Sequence, residues 1–186
     1  MLFPTLINQD MLPQKSYPLT NDEMIQVRIA DEGDLEDIIL IQEACYHGKA
    51  PWGRMAVNNE LRNKHTAFFL MSHMQEEAVA FIGISMRNDS LHVTNIATVP
   101  EYQKQGVGTF LIKTVIDLAK QLQRRKITLE VRMSNETAKS LYRKLGFIDD
   151  RIKKNYYHNN GEDALDMIYR LDENEMDEYY ESQIFK

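Results

Sequence analysis

The chain has 186 residues, 43% hydrophobic and 27% charged, with a net charge of −6 at pH 7. That balance is ordinary for a soluble globular protein, and the length suffices to bury one domain core. Residues 172–186 hold six acids and one base, leaving 21 basic and 22 acidic residues elsewhere, so no basic surplus marks nucleic acid as a direct partner. Cys45 is the single cysteine, which excludes an intramolecular disulfide and suits a reducing compartment. The first residues lack a basic start and a long apolar run, and no window approaches a membrane span. A cytoplasmic protein without a membrane partner is expected.

Residues 1–25 carry three of the five prolines and no sustained periodicity, and read as a loose arm. Val27–Ile29 suits a short strand, and Ala30 to Asp34 supplies turn and helix-start chemistry. Leu35, Ile38, Ile39, Gln42 and Tyr46 then follow helical spacing. Pro51-Trp52-Gly53 breaks the chain before a second helix, about 54–63. Thr66–Met71, Val79–Met86 and Leu91–Thr98 are β-like runs separated by the polar turns Gln75-Glu76-Glu77 and Asn88-Asp89-Ser90, which predicts an antiparallel meander.

After Pro100 the chain reads Gln103-x-x-Gly106-x-Gly108 and enters an amphipathic helix whose apolar face holds Val107, Phe110, Leu111, Val115, Leu118, Ala119 and Leu122. Glycines there let the backbone approach a ligand, and a helix start offers unpaired N–H groups and a positive dipole end. The combination is a socket for phosphate oxygens. Ile127–Met133 alternates as a strand, with Glu130 on its polar side. Ser134-Asn135 caps a helix bearing Ala138, Leu141, Tyr142 and Leu145, and Gly146 ends it. Phe147–Tyr157 and Ala164–Leu171 form a closing hairpin across Asn159 to Asp163. One α/β (α+β) domain is expected over residues 26–171, followed by a solvated acidic tail, 172–186.

Three segments in this order resemble the GNAT acyltransferase superfamily: the strand with Gln103-x-x-Gly106-x-Gly108, then Leu129 to Asn135, then Leu141-Tyr142-Arg143-Lys144-Leu145-Gly146-Phe147. Within it, Ala44-Cys45-Tyr46 with Pro51-Trp52, Asn95-Ile96-Ala97, and Asn155-Tyr156-Tyr157 leading to Glu162-Asp163-Ala164 are similar to RimI-type protein N-terminal acetyltransferases. Gln42 departs from the glutamate of many relatives, so no ligand role is carried to it.

The resemblance implies a mixed, mostly antiparallel sheet flanked by helices, with a splayed central strand pair that admits acetyl-CoA as cosubstrate. It implies that Ile96, Ala97 and Thr98 line the pantetheine arm. Lys104, Gln105, Gly106, Val107, Gly108 and Thr109 would cradle the pyrophosphate, and Asn135 would touch the cofactor beyond the splay. It assigns Glu130 as the base and Tyr142 as the acid toward the departing thiolate, with backbone N–H groups near Ala97 receiving the oxyanion. Tyr156 and Tyr157 would hold the backbone of an incoming peptide. Trp52 either floors the substrate cleft or anchors the second helix. Arg151, Lys153 and Lys154 make a basic stretch that reads as a solvated edge or a contact for a charged protein surface.

An α-amine has a pKa of about 7.7–8.0 against about 10.4 for lysine, so a carboxylate has less to do for an N-terminal acceptor. The expected partner is therefore a protein N-terminus, a ribosomal-protein N-terminal alanine in the RimI branch. Lysine or small-amine acetylation, and a non-catalytic CoA-sensing or partner-binding domain, remain alternatives. The five histidines show no ligand spacing with acids or the cysteine, so no metal is expected.

Overall fold

In the computed structural model the described residues are 7–12, 15–19, 23–46, 48, 50–63, 67–74 and 77–172. They form eight strands: β1 (Ser16–Pro18), β2 (Met24–Ile29), β3 (Ala67–Met74), β4 (Glu77–Met86), β5 (Ser90–Thr98), β6 (Lys126–Arg132), β7 (Ile148–Tyr157) and β8 (Glu162–Arg170). Four α-helices accompany them: α1 (Leu35–Cys45), α2 (Arg54–Arg62), α3 (Val107–Gln121) and α4 (Glu136–Lys144). One sheet takes the order β1-β2-β3-β4-β5-β6-β8-β7. Every neighbour pair is antiparallel except β5 and β6. The α+β fold with a mixed sheet is as expected.

Burial explains the local patterns. Strand β4 lies inside the sheet, and Val79 to Ile84 are all buried without alternation, as a strand covered on both faces requires. On one face α1 and α2 pack Ile38, Ile39, Ile41, Val57 and Leu61 against Phe81 and Ala97. On the other, α3 and α4 pack Phe110, Leu111, Val115, Leu118 and Tyr142 against Ile82, Ile84, Ile127 and Leu129. Strand β6 alternates as read, with Ile127, Leu129 and Val131 buried. Asn135 caps α4 by accepting the Ala138 N–H at 3.0 Å, and Gly146 sits at φ 96° beyond its end.

The central feature is where β5 and β6 stop pairing. Their parallel register runs from Ser90 opposite Lys126 to Val93 opposite Leu129, yet β5 continues to Thr98 and β6 to Arg132. Beyond that point β5 stays with β4 and β6 with β8. A register shift near Asn95, which leaves Thr94 as the extra residue, bends β5 at the same place. The expected splay is this open seam.

Two expectations need correction. The described part of the arm is not loose: β1 pairs with β2, Leu12 and Leu19 are buried, and Tyr17 stacks on Phe110 with centroids 4.8 Å apart. In the final hairpin, β8 starts at Glu162, because Tyr157 pairs with Glu162 and residues 158–161 suffice for the turn. Of the predicted turn at 75–77, Gln75 and Glu76 lie outside the described residues, as does Thr66, and Glu77 opens β4.

Candidate active site

The glycine loop is built by its own backbone. A single 3-10 turn, Pro100–Tyr102, carries the chain off β5, and Gln103 Nε2 donates to the Thr98 carbonyl at 2.9 Å. Lys104 and Gly106 then adopt positive φ, 60° and 93°. The first helical bond of α3 runs from Phe110 N–H to the Gly106 carbonyl at 2.9 Å, so the amides of Val107, Gly108 and Thr109 stand ahead of the ladder. Exposed Lys104 adds a cation beside this helix start.

The two glycines have different reasons. A Cβ on Gly106 would lie 2.6 Å from Tyr17 Oη, in a backbone region that disfavours side chains. A Cβ on Gly108 would meet Leu141 Cδ2 at 3.7 Å, an ordinary contact. Packing within the chain therefore demands glycine at 106 and not at 108. Bareness at 108 suits the close approach of a diphosphate, and the residues present fit that group.

The seam above the loop has an unpaired edge. Val99 N–H donates to the Val79 carbonyl at 3.0 Å, so antiparallel alternation turns Ala97 toward β4 and turns Ile96 and Thr98 toward the seam. The Thr98 carbonyl receives both Gln103 Nε2 and, at 3.1 Å, Cys45 Sγ. The amides of Ile96 and Thr98, on either side of Ala97, therefore point away from β4. Asn135 is exposed at the start of α4, with its carbonyl oxygen committed to the cap.

Glu130 sits one residue past the last β5–β6 pair, with its side chain 13% exposed. His92 Nε2 approaches its Oε2 at 3.2 Å, while His92 Nδ1 meets Thr128 Oγ1 at 2.8 Å. Lys153 Nζ donates to Oε1 at 2.5 Å and also lies 3.1 Å from Asp166 Oδ1. Asp166 faces Glu130 across the β6–β8 register and receives Arg151 Nε at 2.8 Å. Burial works to raise the Glu130 pKa, but the His92 and Lys153 hydrogen bonds and their charges outweigh it and hold the carboxyl at about 2. Glu130 is therefore a carboxylate throughout the physiological range. The sequence missed His92, Lys153 and Asp166. Lys153 is not the solvated edge that its basic stretch suggests; a register shift that leaves Asp150 as an extra residue sets Arg151 and Lys153 opposite Asp166 and Ala164, on the face that carries Glu130.

Tyr142 is 6% exposed, and burial, with Tyr46 and Tyr157 adding to it, drives its pKa far above the usual phenol range. Its proton stays in place at any working pH. Tyr157 is likewise pushed up to about 12 by burial, and the Arg132 guanidinium lies 3.8 Å from its ring centroid. Arg132 also holds Glu162 at 2.8 Å, and Glu162 accepts the Ser134 N–H and hydroxyl at 2.9 and 2.6 Å. These contacts tie the β7–β8 turn to the end of β6. Tyr156, 40% exposed, stands edge-on to Tyr157, with Lys153 Nζ 5.1 Å from its ring centroid.

Trp52 is not joined to this group by any contact found among the described residues; it packs on the α1–α2 cluster. Its backbone is clamped by Gln42, which is fully buried: Oε1 accepts the Trp52 N–H at 3.0 Å and Nε2 donates to the Trp52 carbonyl at 3.3 Å. Asn95 Nδ2 reaches the same Oε1 at 3.3 Å. Gln42 is thus a strut between the α1–α2 loop and β5. Burial pushes the Cys45 thiol up, as befits a packing residue rather than a nucleophile. Asp34, Asp37 and His73 bring ligand-type atoms within 4.8 Å of one another, but both Asp34 oxygens already receive Arg28 N–H groups, at 2.6 and 2.7 Å. No helix among the described residues is long and apolar enough to cross a membrane.

Comparison with known proteins bears on this geometry. The profile of the acetyltransferase (GNAT) family matches residues 35–147. The ribosomal protein bS18-alanine N-acetyltransferase of Escherichia coli K12 is 34% identical over 110 residues, 58% of this chain and 71% of that protein. The N-alpha-acetyltransferase RimI of Mycobacterium tuberculosis is 28% identical over 149 residues, 78% of this chain and 92% of its own. The crystal structure of the ribosomal-protein-S18-alanine N-acetyltransferase from Escherichia coli superposes with a TM-score of 0.72 at 29% identity, over 81% of this chain and 98% of that one. With an open β5–β6 seam above a bare helix start, the chain belongs to the GNAT acetyltransferase family and is an acetyl-CoA-dependent N-acetyltransferase.

Proposed function

We propose that the acceptor is the N-terminal α-amine of a protein, with the N-terminal alanine of a ribosomal protein as the physiological case, as in the relatives named above. The observation that carries this reading is the Glu130 carboxylate, part-buried and held by His92 and Lys153 at the point where the seam opens, with Tyr142 buried in α4. In this reading the amides of Val107, Gly108 and Thr109, with Lys104 and Gln105, hold the diphosphate. Ile96 and Thr98 pair with the pantetheine arm, and Asn135 lies at its rim. Acetyl-CoA supplies the acyl group as a thioester; the remaining work falls to the chain.

Glu130 holds and orients the acceptor ammonium. Direct removal of a proton from an α-ammonium, pKa about 8, by a carboxylate held at about 2 is uphill by about six units. The acceptor therefore loses one proton to water beforehand. Glu130 receives the second, directly or through one water, as the attacking nitrogen becomes positive and strongly acidic. Tyr142 donates a hydrogen bond to the departing sulfur. Its raised pKa keeps that proton on the phenol, so Tyr142 stabilises the developing thiolate by hydrogen bonding and the released thiolate takes its proton from solvent. In this reading Tyr156 and Tyr157, at the end of β7, hold the acceptor's first peptide units.

A second reading, a lysine acceptor, draws on one observation: Glu130 already receives a lysine ammonium, that of Lys153. Mass spectrometry after incubation with acetyl-CoA separates the two. A lysine-containing peptide beginning with alanine is compared with the same peptide blocked at its N-terminus. Acetylation of the free peptide at its α-amine is expected; acetylation of the lysine in both peptides with the α-amine left unmodified would overturn the proposal.

A further inference from the structure

Glu130 and Asp166 are two carboxylates side by side on β6 and β8, with exposures of 13% and 11%, and Lys153 lies between them, nearer to Glu130. We propose that Lys153 is a resident cation standing where the acceptor ammonium must bind, and that Asp166 is the second seat to which it passes when the acceptor arrives. Lys153 and Asp166 are thereby positioning residues that set acceptor affinity. The inference rests on the reading of Glu130 as the acceptor's carboxylate.

Charge balance carries the argument. Two ammonium groups cannot share one partly buried carboxylate without a strong like-charge penalty. With Asp166 present, each ammonium has its own carboxylate. The groups facing Glu130 allow the exchange: His92 from β5 keeps one oxygen occupied, Asp166 stands opposite on β8, and Lys153, Arg151, Tyr156 and Tyr157 approach from β7. Arg151 is 69% exposed and bonds only the outer oxygen of Asp166, so Asp166 Oδ1 remains directed at Lys153. The move is small, since Lys153 Nζ is already 3.1 Å from that oxygen. The Tyr156 ring, 5.1 Å from Nζ, gives the ammonium an aromatic face along the way.

Steady-state kinetics on the full chain, with a peptide of free N-terminal alanine and saturating acetyl-CoA, tests the exchange. Asp166→Asn is expected to raise the peptide KM about tenfold, with kcat changing less, the scale of losing one partly buried ion pair. Lys153→Met is expected to lower KM severalfold, and Lys153→Arg to return it toward the wild-type value. General loosening of the site would raise KM in both variants, so the opposite signs separate the exchange from a structural role. An unchanged KM in Asp166→Asn, or a raised KM in Lys153→Met, overturns the inference. If the wild type acetylates only the lysine in both peptides, the acceptor assignment fails instead, while these KM changes measured on the blocked peptide still report on the exchange.

Discussion

Glu130 is the residue on which the proposed mechanism turns, and its partners make its behaviour predictable. In the proposed mechanism Glu130→Gln keeps the shape and removes the charge, so turnover falls by about 10²–10⁴ while acetyl-CoA affinity, measured by calorimetry, changes little. Normal turnover in that variant would remove Glu130 from the mechanism. The same residue has a stability consequence. Its folded pKa, about 2, lies below the ordinary 4.5, so its contribution is complete above about 4.5 and is lost as pH falls toward about 2. Urea unfolding of the wild type should weaken over that window, and Glu130→Gln should flatten the decline; an unchanged slope would mean that the partners do not hold the carboxylate in solution.

Among the elements, the glycine loop and the Gln42 strut show how local rules and long-range contacts divide the work. Gly106 is fixed twice, by its positive φ and by Tyr17 Oη. Gly106→Ala should therefore destabilise the protein, and by less in a Tyr17→Phe background, where the clashing oxygen is gone. Thermal unfolding of the double-mutant cycle measures this coupling, and strict additivity would show that only the backbone strain matters. Gln42→Leu strands the Trp52 N–H and carbonyl in a buried setting, a loss of about 2 kcal/mol in chemical denaturation. A neutral result would contradict the strut.

Much at this scale was readable from the chain. The α3 stripe, the alternation of β6, the Asn135 cap and the Gly146 stop are set by neighbours within a few residues, and periodicity reports them directly. The strand β1 was not readable, since three residues ending in Pro18 make no pattern and only pairing with β2 defines it. Lys153 and Asp166 were not readable as site residues because their meeting with Glu130 depends on the β6–β8 register and on a bulge in β7. His92 was hidden in the same way: it meets Thr128 and Glu130 only because a parallel pair forms across the α3 crossover.

For the molecule as a whole, the sheet is one continuous object with a deliberate gap. Two helices cover each face, and the edges of the gap are left to backbone groups of β5 and to side chains of β6. The N-terminal segment fastens to the same α3 start through Tyr17, which stacks on Phe110. In the proposed function this gap holds the thioester carrier beside Glu130. The most direct measurement is a crystal structure with CoA bound. It should place the diphosphate on the amides of Val107, Gly108 and Thr109, the pantetheine amides against Ile96 and Thr98, and the thiol end between Glu130 and Tyr142. A diphosphate bound elsewhere, or β5 and β6 paired through to Thr98, would contradict it.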